Sequence, residues 1–321
     1  MTDFAHSDTF DPPVSVPHTL ALGLRRILAP NPSPMTYRGT NTYLIGTRGI
    51  AIIDPGPDDR GQGQSLEAPI HLSSILAALE PDQHISHILV THAHRDHAPL
   101  ARALATATGA PVLAFGDAAA GRSAVMSRLV QGGMTGGGEG VDAAFAPDIC
   151  LADGEVIAGD GWQIEAIWTP GHFGNHLCFA WNDVVFTGDL VMGWASSLVS
   201  PPDGDLSQFM ASCQRLRARG AQVLHPGHGA PIEDPAARID WLITHRQMRE
   251  AAILDQLSAA PAAAAALATA IYTGTSAHLM PAATRNVLAH LIDLYDRGLA
   301  QTDGPLRAEA VFTLSDKNTL S

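Results

Sequence analysis

Lysine is nearly absent from this chain. Its 321 residues include 19 basic side chains, of which only Lys317 is lysine, and 32 acidic ones, for a net charge of −13. A protein built to coat nucleic acid carries the opposite balance, so that class is disfavoured, although a local arginine patch stays compatible. Cysteine is scarce as well. Cys150, Cys178 and Cys213 are too few and too scattered for a disulfide framework or a cysteine-rich zinc finger, and they suit a reducing cytoplasm. No apolar run reaches the roughly 18 residues of a membrane span, and the alanine-rich stretch 259–270 is broken by Pro261. Residues 1–17 carry Asp3, Asp8 and Asp11 and no apolar segment, which argues against a signal peptide. What the chain does have is 46% hydrophobic residues, enough for a large domain plus a small one, and 15 histidines whose placement decides the function.

The runs TYLIG (42–46) and IAIID (50–54) read as a β-hairpin. HILVT (87–91) reads as a strand, 99–109 as a helix opened by Pro99 and closed by Gly109, and PVLAF (111–115) as the next strand. This strand–loop–helix–strand unit belongs to layered α/β architectures. A helix is expected over 118–130. The glycine run 132–140 lacks the GK[ST] ending of a phosphate loop and reads as a surface loop that could border a site. Further strands are expected at 155–158, 162–168, 177–181, 184–187 and 222–224, with an amphipathic helix at 206–219. Helices at 236–257, 262–271 and 282–299, followed by a hairpin through Gly304 and 309–314, resemble a winged-helix module. Over 231–321 acidic residues outnumber basic ones ten to seven, which weighs against DNA reading. The expected divisions are an N-terminal extension (1–19), a main domain (20–232) and a small helical domain (233–321).

The segment THAHRDH (91–97) places His92, His94, Asp96 and His97 between a strand and a helix, the crevice where α/β folds bind ligands. Imidazole with carboxylate suits a borderline metal such as zinc. His92 and His94 share one side of an extended backbone, and a turn there could aim two residues at one metal and two at another. TPGH (169–172), TGD (187–189) and HPGHG (225–229) follow the same rule. Each puts a histidine or aspartate just after an apolar run, beside a glycine that lets the backbone bend. Four such cases together indicate one shared pocket.

HAHRDH, TPGH, TGD and PGHG, in this order, resemble the metallo-β-lactamase superfamily over about residues 20–232. GTNTYLIG, GDLVMGW, SPPDGD and the small helical C-terminal domain look most like its β-lactamase-like protein 2 branch, and glyoxalase II shares the metal motifs. The resemblance implies an α+β fold, a four-layer αββα sandwich with a dinuclear metal site at one edge. It assigns His92, His94 and His172 to a first metal and Asp96, His97 and His228 to a second. Asp189 would bridge them, and the metals would be two zinc ions, with iron or manganese as alternatives. His225 is not a matching ligand. Asp54 in IIDPG matches an early aspartate that orients the ligand loop; read as a residue, it is equally a turn aspartate before Pro55. Aspartate rather than cysteine at 189 argues against β-lactam hydrolysis, and the shortage of lysine argues against a glutathione thioester.

The expected activity is hydrolysis of a small ester or thioester by a metal-bridging hydroxide, in the cytoplasm and with no membrane partner. A single-strand endoribonuclease with arginines around the pocket is the alternative, and a non-catalytic nucleic-acid-binding protein a third reading. Asp96 would accept a hydrogen bond from the hydroxide. His176 would orient substrate or donate a proton, or else be a buried structural histidine; Asn175 has the same two readings. Trp194 would stack on a base or an acyl chain, or pack in the core. Ser196 and Ser197 would bind phosphate or cap their loop, and Tyr37 is a further residue near the site. A homodimer is left open as an expectation.

Overall fold

The computed structural model describes residues 10–58, 70–137 and 140–315. Gly138 and Glu139 of the expected glycine loop lie outside the described residues. Among those residues, a first sheet runs in chain order through β1 (His18–Ala21), β2 (Leu24–Leu28), β3 (Asn41–Ile45), β4 (Gly49–Ile53), β5 (His84–Leu89), β6 (Val112–Ala114) and β7 (Ile149–Cys150). It is antiparallel up to β4 and parallel beyond. The second sheet holds β8 (Val156–Ala158), β9 (Gln163–Trp168), β10 (Leu177–Trp181), β11 (Val184–Gly188) and β12 (Val223–Pro226), with only the last pair parallel. The expected hairpin forms with Leu44 opposite Ile52.

The two-residue period of a strand decides which core each side chain serves. Leu44, Ile50 and Ile52 face outward, into a core shared with Leu72 and Ile75 of α1 (Ile70–Ala77) and Leu100 and Leu104 of α2 (Leu100–Thr108). Tyr43, Ile45, Ala51 and Ile53 face inward, against Ile164, Ala166, Leu177, Phe179 and Phe186 of the second sheet. Cys178, Ala180 and Val185 point out of that sheet. They are covered by Leu206 and Phe209 of α4 (Leu206–Arg219) and Ile239 and Leu242 of α5 (Pro235–Ala259). Each fully buried leucine, isoleucine, valine or phenylalanine among them contributes about 1.5–3 kcal/mol. The result is the four-layer helix–sheet–sheet–helix stack expected from the sequence.

α5 does not stop at the sandwich. Its far end, Ile253 and Leu257, enters a separate core with Leu267 of α6 (Ala264–Ile271), Leu288 and Leu291 of α7 (Met280–Asp296), and Phe312. Met126 and Leu129 of α3 (Ala124–Gln131) join the same core. Three short strands, β13 (Ala262–Ala263), β14 (Ala300–Thr302) and β15 (Val311–Leu314), form a small sheet with β15 in the centre. The segment expected as one arm of a hairpin therefore pairs on both edges. The helix expected from 118 begins at 124, where Ser123 accepts a hydrogen bond from the Met126 amide (3.2 Å), while Asp117 closes a turn before it. The β1–β2 hairpin, α1 and β7 were not expected. No described helix is long and apolar enough to cross a membrane.

Candidate metal centre

The candidate donors all leave the same edge of the sandwich. Residues 91–97 follow β5, 169–172 follow β9, Asp189 follows β11, and 225–228 span the end of β12. The chain must turn sharply in a crowded space. A Cβ at Gly188, whose φ is +45°, would lie 2.6 Å from His176 Nε2 and 2.9 Å from Thr91 Oγ1. At Gly227 it would lie 2.5 Å from Asp189 Oδ1 and 2.7 Å from His97 Cε1. The glycines of TGD and PGHG are therefore steric requirements of the packed cluster.

Two groups of donors form. In the first, His94 Nδ1 lies 2.9 Å from His92 Nε2 and 3.1 Å from His172 Nε2. In the second, His228 Nε2 lies 3.1 Å from Asp96 Oδ2, 3.3 Å from Asp189 Oδ2 and 3.3 Å from His97 Nε2. Asp189 Oδ2 is also 3.9 Å from His172 Nε2, so this carboxylate stands between the groups. Within each group all donor atoms lie within 4.8 Å of one another.

The outer hydrogen bonds fix where the imidazole protons sit. His172 donates from Nδ1 to the Leu198 carbonyl (2.7 Å), and His228 from Nδ1 to the Gly39 carbonyl (3.1 Å). His97 donates from Nδ1 to Asp54 Oδ2 (2.8 Å). The Thr91 hydroxyl donates to Asp54 Oδ2 (2.8 Å) and so accepts from His92 Nδ1 (2.9 Å). Four Nε2 lone pairs are thereby turned into one space, where they repel one another unless cations lie among them. Among the described residues, Asp189 Oδ1 is buried there with no hydrogen-bond partner, His97 Nε2 standing 3.5 Å away. This donor set fits two divalent cations, with Asp189 shared.

The electrostatics agree. Burial, reinforced by His172, pushes His94 down to about 3. Burial also lowers His97 and His228, but the surrounding carboxylates outweigh it. Asp96, Asp189 and Asp54 hold His97 well above its ordinary value, and Asp189 and Asp96 raise His228 to about 9. The second group therefore draws positive charge strongly, as protons or as metal.

Asp54 resolves to the orienting role. It sits at the end of β4 with a left-handed φ of +52°, and its Oδ1 accepts the Thr91 amide (2.7 Å). His176 requires a correction, because it does not face a substrate. It is fully buried, its Nε2 accepts the Asp189 amide (3.3 Å), and its Nδ1 pairs with Thr169 Oγ1 (2.9 Å). Burial and His172 push its pKa far down, so it stays neutral and holds the Asp189 main chain. Asn175 likewise ties the Ala93 amide to the Gly116 and Asp117 carbonyls. His225 stacks on Phe186 (5.3 Å between centroids), outside both groups.

A cavity of about 480 Å³ opens over the centre, lined by His94, Asp96, His172 and Asp189 at its metal end. Trp194 and Ser196 line it too, with Tyr37 stacked behind Trp194 at 5.1 Å. Ser197 turns away, its hydroxyl donating to the Leu190 carbonyl (2.8 Å). Two residues with no local signal in the sequence hold this loop. Arg246 of α5 donates to the Ser197 carbonyl and to Asn286 Oδ1 (2.9 Å), and Asn286 of α7 accepts the Val199 amide (3.0 Å). Leu198, which orients His172, lies between them. Asn41, a polar residue in an apolar strand and part of GTNTYLIG, donates to the Pro226 and Gly229 carbonyls and so holds the His228 turn.

Residues 35–228 match the metallo-beta-lactamase superfamily, and 263–306 match the beta-lactamase associated winged helix domain. A lactamase-like protein nscB of Neosartorya fischeri is 36% identical over 248 residues, 76% of this chain and 65% of that protein. A beta-lactamase-like protein 2 homolog of Drosophila melanogaster is 31% identical over 289 residues, 85% of this chain and 88% of that one. An atrochrysone carboxyl ACP thioesterase of Aspergillus fumigatus is 29% identical over 236 residues, 71% of this chain and 63% of that one. The chain thus spans a little under two thirds of the length of these two fungal relatives. The crystal structure of a metallo-beta-lactamase family protein from Thermus thermophilus superposes with a TM-score of 0.71 at 26% identity, over 92% of this chain and 100% of that one. By family match, fold and relatives together, the chain belongs to the metallo-β-lactamase superfamily and carries a C-terminal winged-helix domain.

Proposed function

We propose that this chain hydrolyses a small ester or thioester with two zinc ions at the centre just described. The carrying observation is the pairing of two donor groups across Asp189, three imidazoles on one side and Asp96, His97 and His228 on the other. Metal-dependent hydrolysis is the chemistry of the family to which the chain belongs. Imidazole-rich sets with carboxylates favour zinc, with iron or manganese as alternatives. Two ions held by these residues would supply a water ionised near neutral pH and a Lewis acid for the acyl oxygen.

In the reaction, water adds to the acyl carbon, the C–S or C–O bond breaks, and a carboxylate and a thiol or alcohol leave. Asp96 is the donor-group residue best placed to meet the attacking water, because 27% of its side chain is open to the cavity. Burial alone would raise its pKa, but His97 and His228 hold it well below the usual carboxylate range. It therefore stays a hydrogen-bond acceptor and orients the water at the acyl carbon. The relative named as an acyl-carrier-protein thioesterase supports the acyl reading. Among the described residues, Arg285 is the only arginine or lysine lining the cavity, too little charge to track an RNA backbone. All three cysteines are free, and we place the enzyme in a reducing cytoplasm.

The test is a hydrolysis panel on metal-loaded protein with thioesters, lactones, phosphodiesters and single-stranded RNA. Thioester or ester turnover is expected, and Asp96→Ala should lower it at least about 100-fold. Turnover retained in that variant, or RNA cleavage without ester cleavage, overturns the reading.

A further inference from the structure

The cavity over the metal centre has two walls of different origin. One is the loop after β11, with Met192, Trp194 and Leu198. The facing one comes from the winged-helix domain, with Tyr272, Leu279, Pro281, Ala282 and Ala283 from the α6–α7 connection and the first turn of α7. The domain therefore reaches over the reacting end of the site. Both walls are mainly apolar, with Ser196, Thr275, His278 and Asn286 as their uncharged or imidazole polar side chains. Among the described residues, Asp96 and Asp189, at the metal end, are the only acids lining the space, and Arg285 is already bound through Nε to Ser200 Oγ (2.9 Å). About 480 Å³ is the size of a pocket that encloses a small organic group rather than a polymer. A site of this lining rewards apolar surface, by about fourfold in affinity per buried methylene.

We propose that this cavity is an acyl pocket for an uncharged, apolar acyl group of medium length, and that the 272–283 segment of the winged-helix domain sets the length it accepts. The inference rests on the hydrolase reading above and names the substrate class of that same site. It also gives the winged-helix domain a use as a substrate wall, in place of the nucleic-acid reading such modules suggest.

Two measurements on the full-length, metal-loaded protein test it separately from the chemistry. The first is hydrolysis of p-nitrophenyl acetate, butanoate and octanoate; the second is calorimetric binding of octanoate against acetate, which share a carboxylate. We expect kcat/KM to rise at least tenfold from acetate to octanoate ester, and octanoate to bind at least tenfold tighter than acetate. Ala283→Phe fills the pocket and Leu279→Asp puts a charge in its wall. Either should collapse the octanoate-to-acetate ratio of kcat/KM to within about threefold. Leu279 is half-buried in a short turn at Ala277–Leu279, so its variant remains usable where Ala283→Phe fails to fold.

Octanoate binding with no ester or thioester turnover supports the pocket and overturns the hydrolase reading. Turnover independent of chain length, with no octanoate binding, overturns the pocket and leaves the hydrolase standing. Length selectivity that survives both substitutions overturns the assignment of the wall.

Discussion

One carboxylate, that of Asp54, accepts three hydrogen bonds: from the Thr91 amide, the Thr91 hydroxyl and His97 Nδ1. Through the Thr91 hydroxyl it also fixes the proton on His92. A single side chain thus sets the tautomer of one imidazole in each donor group. In Asp54→Asn, an amide N–H turned toward His97 Nδ1–H has nothing to accept it, and a flipped amide leaves Thr91 short instead. Metal affinity should fall about 10–100-fold, read by competition with a chromogenic chelator. The seven candidate donors that the fold gathers were all named from the sequence, because each motif follows an apolar run. The two roles of Asp54 look alike in the sequence; only the fold, by turning its backbone to φ +52°, separates them. The two readings of His176 were inseparable in the sequence for a related reason. Its spacing from His172 places it near the donors, but the turn returns at once to β10, with the Thr169 amide bonded to the His176 carbonyl, and buries the ring behind Asp189.

At the scale of elements, α1 is joined to β3 by His71. Its Nε2 donates to Thr42 Oγ1 (2.8 Å), which donates to the Asp54 carbonyl (2.6 Å), and its Nδ1 is buried without a partner among the described residues. Burial lowers its pKa to about 4. The unfolded chain therefore takes up this proton first as pH falls. The contribution is complete above about pH 6.5, declines between 6.5 and 4, and levels off below, a loss of about 3 kcal/mol. Urea denaturation at pH 7 and 4.5 should show His71→Gln losing less stability than the parent by about 2 kcal/mol, most of the full loss. α1 was not legible because IHLSSILA is only eight residues long and its apolar positions, broken by His71, Ser73 and Ser74, are too few to establish a helical period. The clamp of α5 and α7 on the 197–199 loop is a second element-scale device. Asn286→Ala removes the acceptor of both the Val199 amide and Arg246. The loop that holds Leu198 against His172 should loosen, and metal analysis after dialysis against chelator should show about one ion per chain fewer. No motif signals Arg246 or Asn286, since the loop they serve is 40 to 90 residues away in sequence.

For the molecule as a whole, the four layers were legible because strand period and apolar content agree along both sheets. How the winged-helix domain sits was not, since its docking depends on contacts between distant segments. α5 places Ile239 and Leu242 on the second sheet and Ile253 and Leu257 in the far core, and α3 sends Met126 and Leu129 into that same far core. The two parts should therefore melt together. Scanning calorimetry is expected to give one transition with matching calorimetric and van't Hoff enthalpies; two resolved transitions would show that the parts unfold independently. A chain cut at 232 should aggregate on expression, because it lacks the residues of α5 that cover the second sheet.

The spread of the donors from 92 to 228 also bears on biogenesis. The trio of imidazoles is complete in the chain once residue 172 has been made, whereas the other cage waits for 228, whose turn is pinned by Asn41 and Tyr43 near the opposite end of the domain. On the two-metal reading proposed above, the two cages differ in their earliest moment of capture, and full loading belongs to a polypeptide whose last sandwich strand has already left the ribosome.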